Sequence, residues 1–240
     1  RPMVASFAYG YHGSVDETFV VRDGAGATVA RIGNVGPAVP PAQTTRALEW
    51  NDLDSVEAAL APGDVAVLIT EPALTNIGIV LPEPGFLDGL RQICDRTGTL
   101  LLIDETHTFS AGPGGCTQAW DLHPDIVTLG KSFAGGIPIG AYGLSNDVAV
   151  RLHDLVVSTD ADIVDVGGVG GTLAGNALSL AAARATLEDV FTADAFEHMI
   201  ALATRFTAGV QDTLDRHDLP WSVVQLGARA EYRFARPAPR

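Results

Sequence analysis

The chain contains a single lysine beside fourteen arginines, and the residues around that lysine favour chemistry. Lys131 follows the apolar stretch Ile126–Leu129 and precedes a segment rich in glycine and proline. Arginine stays protonated, whereas a neutral lysine amine can attack a carbonyl carbon and form a Schiff base. A single lysine could also be what an arginine- and alanine-rich composition leaves by accident. The neighbouring residues therefore have to decide between the two interpretations.

Two acidic residues occupy the same kind of position as Lys131 at the ends of other predicted strands. Glu71 follows the apolar run Val65–Thr70, and Asp104 follows a predicted strand at residues 99–103. Ligands of open parallel sheets bind at the carboxyl ends of the strands, so we expect these side chains to converge in one crevice. An amine and a carboxylate there fit pyridoxal phosphate, because a lysine holds its aldehyde carbon and a carboxylate pairs with its pyridine nitrogen. Taken alone, Asp104 could equally be a cap or turn residue, and Lys131 an exposed loop residue.

The predicted elements alternate between strand and helix. Apolar runs predict strands at residues 4–8, 65–70, 99–103, 126–129 and 140–144. Amphipathic or capped stretches predict helices at residues 51–60, 84–97 and 147–156, and from 173 to about 216 with a break near 192. Glycines and prolines predict irregular structure at residues 22–50 and a loop at 167–171, and residues 230–234 are strand-like. The alternation predicts an α/β fold with a mostly parallel sheet.

The composition limits the partners and the compartment. A net charge of −14 argues against a nucleic-acid partner, because phosphates would be repelled. No apolar run is long enough to cross a membrane, and Cys94 and Cys116 fit free thiols in a reducing compartment. No set of Cys, His, Asp and Glu residues has metal-ligand spacing. We therefore expect a cytoplasmic protein with small-molecule partners and with no metal, membrane or nucleic acid.

Five short motifs in a fixed order resemble one enzyme family. They read YHG at residues 11–13, EPALTNIG at 71–78, LLIDET at 101–106, LGKSFAGGIPIGA at 129–141 and GTLAGNAL at 171–178. The series resembles the class III pyridoxal-phosphate aminotransferases, and within them it is most similar to the glutamate-1-semialdehyde 2,1-aminomutase branch. The resemblance implies a fold type I large domain at residues 1–200, with a mostly parallel sheet of the seven-stranded type sandwiched by helices. Residues 201–240 would begin a small α+β C-terminal domain, and the chain would be the central piece of a longer protein.

The same resemblance implies roles for individual residues. Lys131 would be the Schiff-base lysine, Asp104 would bind the pyridine nitrogen, and Tyr11 would stack on the ring of pyridoxal 5'-phosphate. Thr172 would bind the cofactor phosphate of the neighbouring subunit in a homodimer, since it is predicted to open a helix whose free N–H groups favour an anion. An ordinary N-cap is compatible with that role. The remaining expected cofactor and substrate contacts are His12, Gly13, Glu71, Asn76, Thr106 and His107.

Three departures from the family pattern affect substrate and cofactor binding. Thr106 stands where the family usually has valine, and the stretch from His107 to Gly115 replaces one that often reads Gly-Phe-Arg. Because this arginine is missing, the sequence indicates no residue that would bind a substrate carboxylate. His107 either supplies a polar contact in the site or orients its loop. The family's phosphate-binding turn would lie upstream of Tyr11 and is not part of this sequence, nor is most of the C-terminal domain.

The sequence thus predicts an enzyme that transfers an amino group from an amino acid or amine to a keto acid or aldehyde. The freed lysine amine would move a proton between carbons, which requires a pKa lowered by burial and a nearby cation. One alternative is an intramolecular 2,1-aminomutase, and another is a truncated or catalytically silent homologue. A third is a nucleotide-binding oxidoreductase, against which the lack of a glycine-rich strand–helix turn counts.

Overall fold

The computed structural model describes residues 1–35, 39–158 and 172–236, and the loop predicted at residues 167–171 lies outside them. The strands within these residues are β1 (Met3–Phe7), β2 (Val20–Arg22), β3 (Thr28–Ala30), β4 (Thr45–Leu48), β5 (Val65–Thr70), β6 (Leu100–Asp104), β7 (Ile126–Leu129), β8 (Ala141–Leu144), β9 (Ser222–Leu226) and β10 (Arg229–Arg233). Six of them form one sheet in the order β4-β1-β5-β6-β7-β8. The pairs β2-β3 and β9-β10 form two-stranded sheets.

The large sheet is parallel except at one edge. β1 pairs in parallel with both β4 and β5, and the parallel pairing continues through β6 to β7. The edge strand β8 is antiparallel to β7. The predicted α/β class with a mostly parallel sheet is confirmed, and the expected seven-stranded type is represented by six strands within the described residues.

The prediction of irregular structure at residues 22–50 is wrong, because that segment contains β3 and β4. β4 pairs with β1 in a register that places Val4 opposite Thr45 and Phe7 opposite Leu48. Its four residues carry no alternating pattern that would identify a strand from the sequence. Backbone hydrogen bonding to β1 and the burial of Leu48 order this segment, so tertiary contacts override the local composition.

The helices within the described residues are α1 (Leu53–Leu60), α2 (Phe86–Thr97), α3 (Gly115–Ala119), α4 (Asn146–Ser158), α5 (Ala177–Ala185) and α6 (Ala193–Arg216). Local signals set the ends of the predicted ones. The Asp52 side chain accepts a hydrogen bond from Ser55 N at 3.0 Å and starts α1, and Gly98 ends α2 with φ +62°. A π-helical stretch, Thr186–Val190, follows α5 and the Thr192 side chain caps α6, so the predicted break near residue 192 is confirmed.

α6 runs without interruption through position 200, where the sequence predicts the boundary between two domains. That boundary stays a prediction. Of the helices that the structure describes, none is both long enough and apolar enough to span a bilayer.

The main core lies between the sheet and the helices α1 and α2. Ala5, Leu68 and Ile103 come from β1, β5 and β6, and each exposes 1% of its surface or less. Leu60 of α1 and Leu90 of α2 are fully buried against them. Burying one such leucine stabilises the fold by about 1.5–3 kcal/mol relative to leaving it exposed. This packed layer fixes the carboxyl ends of the central strands, where the predicted site residues lie.

The hairpin of β9 and β10 is anchored to the loop that follows β6. Ala228 N in its turn donates a hydrogen bond of 2.7 Å to Ala111 O. Gly227 has φ +57°, and a Cβ at this position would lie 1.9 Å from the same carbonyl oxygen. Only glycine fits such a close approach between two backbones. The turn is therefore seated directly on the polypeptide that leaves the carboxyl end of β6.

Candidate functional site

The side chains that could take part in chemistry lie at the carboxyl ends of four neighbouring strands, where ligands of open parallel sheets bind. Tyr11 and His12 come from the turn after β1, and Glu71 follows β5 directly. Asp104 is the last residue of β6, and Lys131 lies two residues beyond the end of β7. Because β1, β5, β6 and β7 are adjacent in the sheet, these residues lie along one edge of it.

Asp104 is held as a carboxylate by direct hydrogen bonds. His12 Nδ1 lies 2.8 Å from Asp104 Oδ2, and Thr106 N donates to Oδ1 at 3.0 Å. The side chains of His12 and Asp104 expose 2% and 8% of their surface, so this contact is shielded from solvent. Burial opposes ionisation of Asp104, but the hydrogen bonds from His12 and Thr106 outweigh it and hold the pKa of the carboxyl below its usual range.

Glu71 lies beside this pair, but its pKa is shifted in the opposite direction. Tyr11 N donates to Glu71 Oε1 at 3.3 Å, and the Thr75 hydroxyl donates to Oε2. Burial raises the pKa of Glu71 above its usual range, despite the opposing effects of Thr75 and His12. The site thus combines one carboxyl whose pKa is lowered with one whose pKa is raised. Environments that separate two titratable groups in this way are typical of functional sites.

Lys131 has an unusual backbone conformation for a residue with a side chain. Its φ is +57°, in the left-handed region that favours glycine, and it begins the 3-10 turn Lys131–Ala134. Residues held in this region cost roughly 1–3 kcal/mol each and concentrate at functional sites. The Nζ atom contacts His107 Nε2 and lies 6.0 Å from the centre of the Tyr11 ring. The strain thus accompanies a side chain directed at other members of the site.

The pKa of the Lys131 amine is lowered from its usual value. Partial burial is the main cause, and the positive charge of Arg229 adds to it. The carboxyl groups of Asp104 and Glu71 act in the opposite direction but do not reverse the shift. A lowered pKa increases the fraction of neutral amine at a given pH, and the neutral amine is the nucleophilic form.

His107 is neutral and connects Lys131 to a residue that the sequence did not indicate. Burial, together with the positive charges of Lys131 and Arg229, lowers the pKa of His107 to about 4. Arg229 Nη1 lies 3.4 Å from His107 Nδ1, and Arg229 Nη2 donates to Glu231 Oε1 at 2.7 Å. Arg229 lies in β10, far along the chain, and no motif near it signals a site. Its position follows only from the seating of the hairpin on the loop after β6.

Thr106 and Gly13 take part in the site through packing and backbone shape. A Cβ at position 130 would lie 3.3 Å from Thr106 Cγ2, so the Thr106 side chain packs against the glycine that precedes Lys131. Gly13 has φ +89° and allows the turn after His12 to leave the site. The predicted site residues brought together by the contacts described so far are therefore Tyr11, His12, Glu71, Asp104, Thr106, His107 and Lys131, and Gly13 directly follows His12 in the chain.

Asn76 and Thr172 are not linked to this cluster by any hydrogen bond, ion pair or ring contact within residues 1–35, 39–158 and 172–236. Asn76 is exposed in the loop after β5, and Thr172 is exposed in a turn. The prediction that Thr172 opens a helix is wrong, because α5 starts at Ala177. Asn176 caps that helix by accepting a hydrogen bond from Ser179 N at 3.0 Å. An asparagine directly before the helix is the stronger N-cap signal, and the phosphate role of Thr172 stays a prediction.

An apolar groove lies beside the lysine turn. Its volume is about 560 Å³, and Phe133 of the turn and Leu180 of α5 are part of its lining. Several leucines on or next to α5 are strongly exposed, namely Leu173 at 78%, Leu178 at 67%, Leu180 at 52% and Leu187 at 44%. Contiguous apolar surface of this kind marks interaction sites. The part of the chain that the structure describes contains no cluster of three or more metal-ligating side chains.

Comparison with known proteins places this geometry in a wider group. Residues 1–235 match the family model of the Aminotransferase class-III proteins. Glutamate-1-semialdehyde 2,1-aminomutase of Chloroflexus aggregans is 36% identical over 246 aligned residues, which cover 99% of this chain and 53% of that protein. The crystal structure of a glutamate-1-semialdehyde aminomutase from Pseudomonas aeruginosa superposes with a TM-score of 0.95 at 49% identity, covering 100% of this chain and 53% of that one.

A lysine-to-alanine form of the Pseudomonas aeruginosa aminomutase in complex with PMP superposes with a TM-score of 0.94 at 48% identity and covers the same shares of the two chains. The chain spans about half the length of the curated relatives that it matches.

Proposed function

The chain belongs to the class III aminotransferase family, and on that premise we propose that it carries the cofactor site of a pyridoxal-phosphate enzyme that moves an amino group between small molecules. One observation carries the proposal. The sole lysine of the chain, in a left-handed backbone conformation, shares a sheet edge with a buried aspartate that is held ionised. Amino-group chemistry on this cofactor needs both of these groups.

The side chains at the sheet edge fit pyridoxal 5'-phosphate by their chemistry. The Lys131 amine can hold the aldehyde carbon, and the Asp104 carboxylate can pair with a protonated pyridine nitrogen. The Tyr11 ring, 6.0 Å from Lys131 Nζ, offers a flat face for an aromatic ring. When bound, the cofactor supplies an electron sink that stabilises the negative charge left by loss of the substrate's α-proton.

The protein's own contribution is to fix charges and to move a proton. Asp104, ionised by the hydrogen bonds from His12 and Thr106, holds a proton on the pyridine nitrogen. Lys131, whose pKa is lowered, would accept and release a proton at Nζ. Such a base works best when its pKa is close to the working pH, so the lowered pKa supports this role.

The remaining roles are carried over from the family likeness. Glu71 and Asn76 line the site near the ring hydroxyl and the substrate, and Thr106 packs beside the ring. His12, Gly13 and His107 complete the cofactor surroundings. Thr172 binds the cofactor phosphate of a neighbouring subunit. The contacts of Glu71, His12 and His107 support their placement, whereas Asn76 and Thr172 rest on the likeness alone.

The protein acts as a homodimer in this proposal. Support comes from the apolar groove beside Phe133 and the exposed leucines of α5, which adjoin the turn that carries Lys131. Covering such a surface with a second subunit would remove it from water. Light scattering on the full-length protein tests the assembly, and a monomer at micromolar concentration contradicts it.

An intramolecular aminomutase is the second candidate, favoured by the relatives. The Chloroflexus aggregans protein and the Pseudomonas aeruginosa structure are glutamate-1-semialdehyde aminomutases. Transfer within one molecule and transfer between two molecules use the same amine and the same carboxylate. They differ in whether the reacting molecule stays in the site, so the described residues fit both.

Covalent trapping tests the cofactor site. The full-length protein is incubated with pyridoxal phosphate, reduced with borohydride and digested, and the peptide that contains Lys131 is expected to carry the phosphopyridoxyl group. The Lys131→Ala and Lys131→Arg variants are expected to carry none at this position. Lys131→Arg is the matched control because it keeps the positive charge but cannot act as an amine nucleophile. An unmodified Lys131 peptide in the wild-type protein overturns the proposal.

A substrate assay with and without an acceptor separates the two candidates. Glutamate 1-semialdehyde is supplied alone and together with a keto acid. An aminomutase forms an isomer of unchanged mass without the acceptor, whereas an aminotransferase requires the acceptor and aminates it. A protein that traps the cofactor on Lys131 but transforms neither this substrate nor a panel of amines is a catalytically silent homologue.

A further inference from the structure

Arg229 and His107 join the hairpin β9–β10 to the reactive amine. Arg229 Nη1 lies 3.4 Å from His107 Nδ1 and also donates to His107 O at 3.4 Å, while His107 Nε2 contacts Lys131 Nζ. The three side chains therefore form a continuous series from β10 to the amine. Neither the family motifs nor the comparisons give Arg229 a role.

The donor properties of arginine determine where the proton of the imidazole lies. A guanidinium only donates hydrogen bonds, so the ring nitrogen that faces Arg229 has to accept and carries no proton. In a neutral imidazole the proton then lies on the other nitrogen, Nε2. Nε2 faces Lys131 Nζ, and an N–H there can donate only to an amine that has a free lone pair. The arrangement is satisfied when Lys131 is neutral and opposed when it is protonated.

We propose that Arg229 is a positioning residue that acts through His107 and keeps the Lys131 amine in its neutral, nucleophilic form by directing the His107 Nε2–H at Nζ. The inference deepens the proposed function and rests on it, because it concerns the same lysine. Arg229 acts through His107, and His107 acts on the reacting nitrogen itself.

The hairpin holds Arg229 in place for this purpose. Arg229 and Glu231 are two residues apart on β10 and therefore share a face, and Arg229 Nη2 donates to Glu231 Oε1 at 2.7 Å. Ala228 N, next to Arg229, is bound to Ala111 O in the turn that follows His107. The strand register, the Glu231 contact and the seated turn each restrict the guanidinium to the side of His107 that faces away from Lys131.

The charged and titratable groups that face His107 and Lys131 act in both directions. His107 is faced by Lys131, Arg229 and Asp104. Burial is the main cause that lowers its pKa to about 4, and the positive charge of Arg229 adds to it, so the doubly protonated ring is absent at neutral pH. The groups that face Lys131 are His107 and Asp104 after or in β6, Glu71 after β5, the Tyr11 ring after β1 and Arg229 of β10. The two carboxyl groups favour the protonated amine, whereas burial and the positive charge of Arg229 counteract them.

A double-mutant cycle on the cofactor-free full-length protein tests the proposal. The cofactor is removed with hydroxylamine, and Lys131 is acetylated in trace amounts across a pH series with its peptide quantified by mass spectrometry. Arg229→Gln and His107→Gln are each expected to raise the pH of half-labelling by about one pH unit, the size of one lost hydrogen bond. Arg233→Gln is the matched control, because it removes a cation from the same strand without a contact to His107, and it is expected to leave the profile unchanged.

The cycle separates positioning from charge alone. If Arg229 acts through His107, more than half of the shift caused by Arg229→Gln disappears when His107→Gln is already present. If more than half of it persists, Arg229 acts by its charge alone and the proposal is overturned. An unchanged profile in His107→Gln overturns it as well.

Long-range 1H–15N correlation spectra of the histidine rings give a second measurement that needs no altered protein except for assignment. The wild-type His107 ring is expected in the Nε2–H form at neutral pH, and its signal is identified by its absence in His107→Gln. A ring protonated on Nδ1, or on both nitrogens, contradicts the proposal. Borohydride trapping of the cofactor on Lys131 is scored separately, so failure of the proposed function is distinguishable from failure of this inference.

Discussion

The site has an acid side, formed by Asp104, His12 and Thr106, and an amine side, formed by Lys131, His107 and Arg229. The acid side stabilises a charged group, whereas the amine side disfavours one. Asp104 is buried and receives hydrogen bonds of 2.8 and 3.0 Å from His12 and Thr106. Lys131 is exposed, contacts a neutral imidazole and faces the positive charge of Arg229. Direct hydrogen bonds thus stabilise the Asp104 carboxylate, whereas the surroundings of Lys131 disfavour its protonated form. A site that needs a permanent anion and an amine ready to lose its proton requires this asymmetry.

The two sides also differ in where their supporting residues come from. His12 and Thr106 lie close to the ends of the packed strands β1 and β6, so the main core fixes the acid side. Arg229 reaches the amine side from a separate two-stranded sheet at the other end of the chain. Changes in the hairpin should therefore alter the amine side and leave the acid side intact.

Removing the charge of the acid side should have the largest effect. Asp104→Asn keeps the shape but loses the ionised partner, and kcat of the full-length enzyme is expected to fall by roughly 10²–10³-fold, as for loss of one fixed charge-stabilising group. Steady-state rates at saturating cofactor measure it. Borohydride trapping on Lys131 is expected to persist and is the control that the amine side is intact. A loss of less than tenfold contradicts the ionised role of Asp104.

Displacing the hairpin should break the amine side alone. Gly227→Ala puts a Cβ 1.9 Å from Ala111 O at a position with φ +57°, and the unfolding free energy is expected to fall by about 1–3 kcal/mol. Chemical denaturation measures this change, and the half-labelling pH of Lys131 should rise as in Arg229→Gln. The control is Gly209→Ala in α6, where a Cβ meets no atom within 4 Å and a gain of about 0.5–1 kcal/mol is expected. Equal stability of the two variants contradicts the seated turn.

Weakening the acid side should shift its pH dependence. His12→Phe removes a hydrogen bond that lowers the pKa of Asp104, so this pKa rises and the carboxylate is lost at a higher pH than in the wild type. The acid limb of kcat/KM is expected to move upward by about one pH unit. The basic limb, assigned to the amine side, should stay in place. A shift of both limbs, or of neither, contradicts the separation of the two sides.

The smallest effect is expected at the contact between the two sides. The Thr106 side chain packs against Gly130, and its hydroxyl adds to the effects of His12 and Thr106 N that lower the pKa of the Asp104 carboxyl. Thr106→Val keeps the shape and restores the residue usual in the family, so stability and the free energy of activation should change by no more than about 0.5 kcal/mol. Thermal unfolding and kcat measure both. A larger loss shows that the hydroxyl has a role in the site that packing does not explain.

The acid side and the packed strands could be predicted from the sequence because their signals are local. Val65–Thr70 and Ile126–Leu129 are apolar except for Thr70 and Thr128, and the first residue beyond a buried strand lies at the edge where ligands bind. The positions of Asp104 and Glu71 at this edge follow from that rule, whereas their roles follow from the family resemblance. The helix ends at Asp52 and Gly98 follow from capping chemistry that a few residues determine.

The amine side could be predicted only in part because it depends on distant pairing. The sequence indicated Lys131 through its rarity, but its positive φ follows from the packed turn. The same limitation applies to β4, whose four residues become a strand only by pairing with β1. Arg229 reaches His107 only once Gly227 sits on Ala111, and no spacing between arginine and histidine encodes that contact.

The close contact between Gly227 and Ala111 also has a consequence for how the site can change in evolution. Consider a recombinant in which all residues after α5 are replaced by the corresponding segment of a relative. It would retain His12, Asp104 and Lys131, but the residue that contacts the His107 imidazole in place of Arg229 would come from the relative. Replacing only the loop after β6 would leave the Arg229 guanidinium facing a different side chain in place of His107. Loop and hairpin should therefore change together as lineages diverge, and directed evolution of the lysine's basicity should diversify both segments in one library.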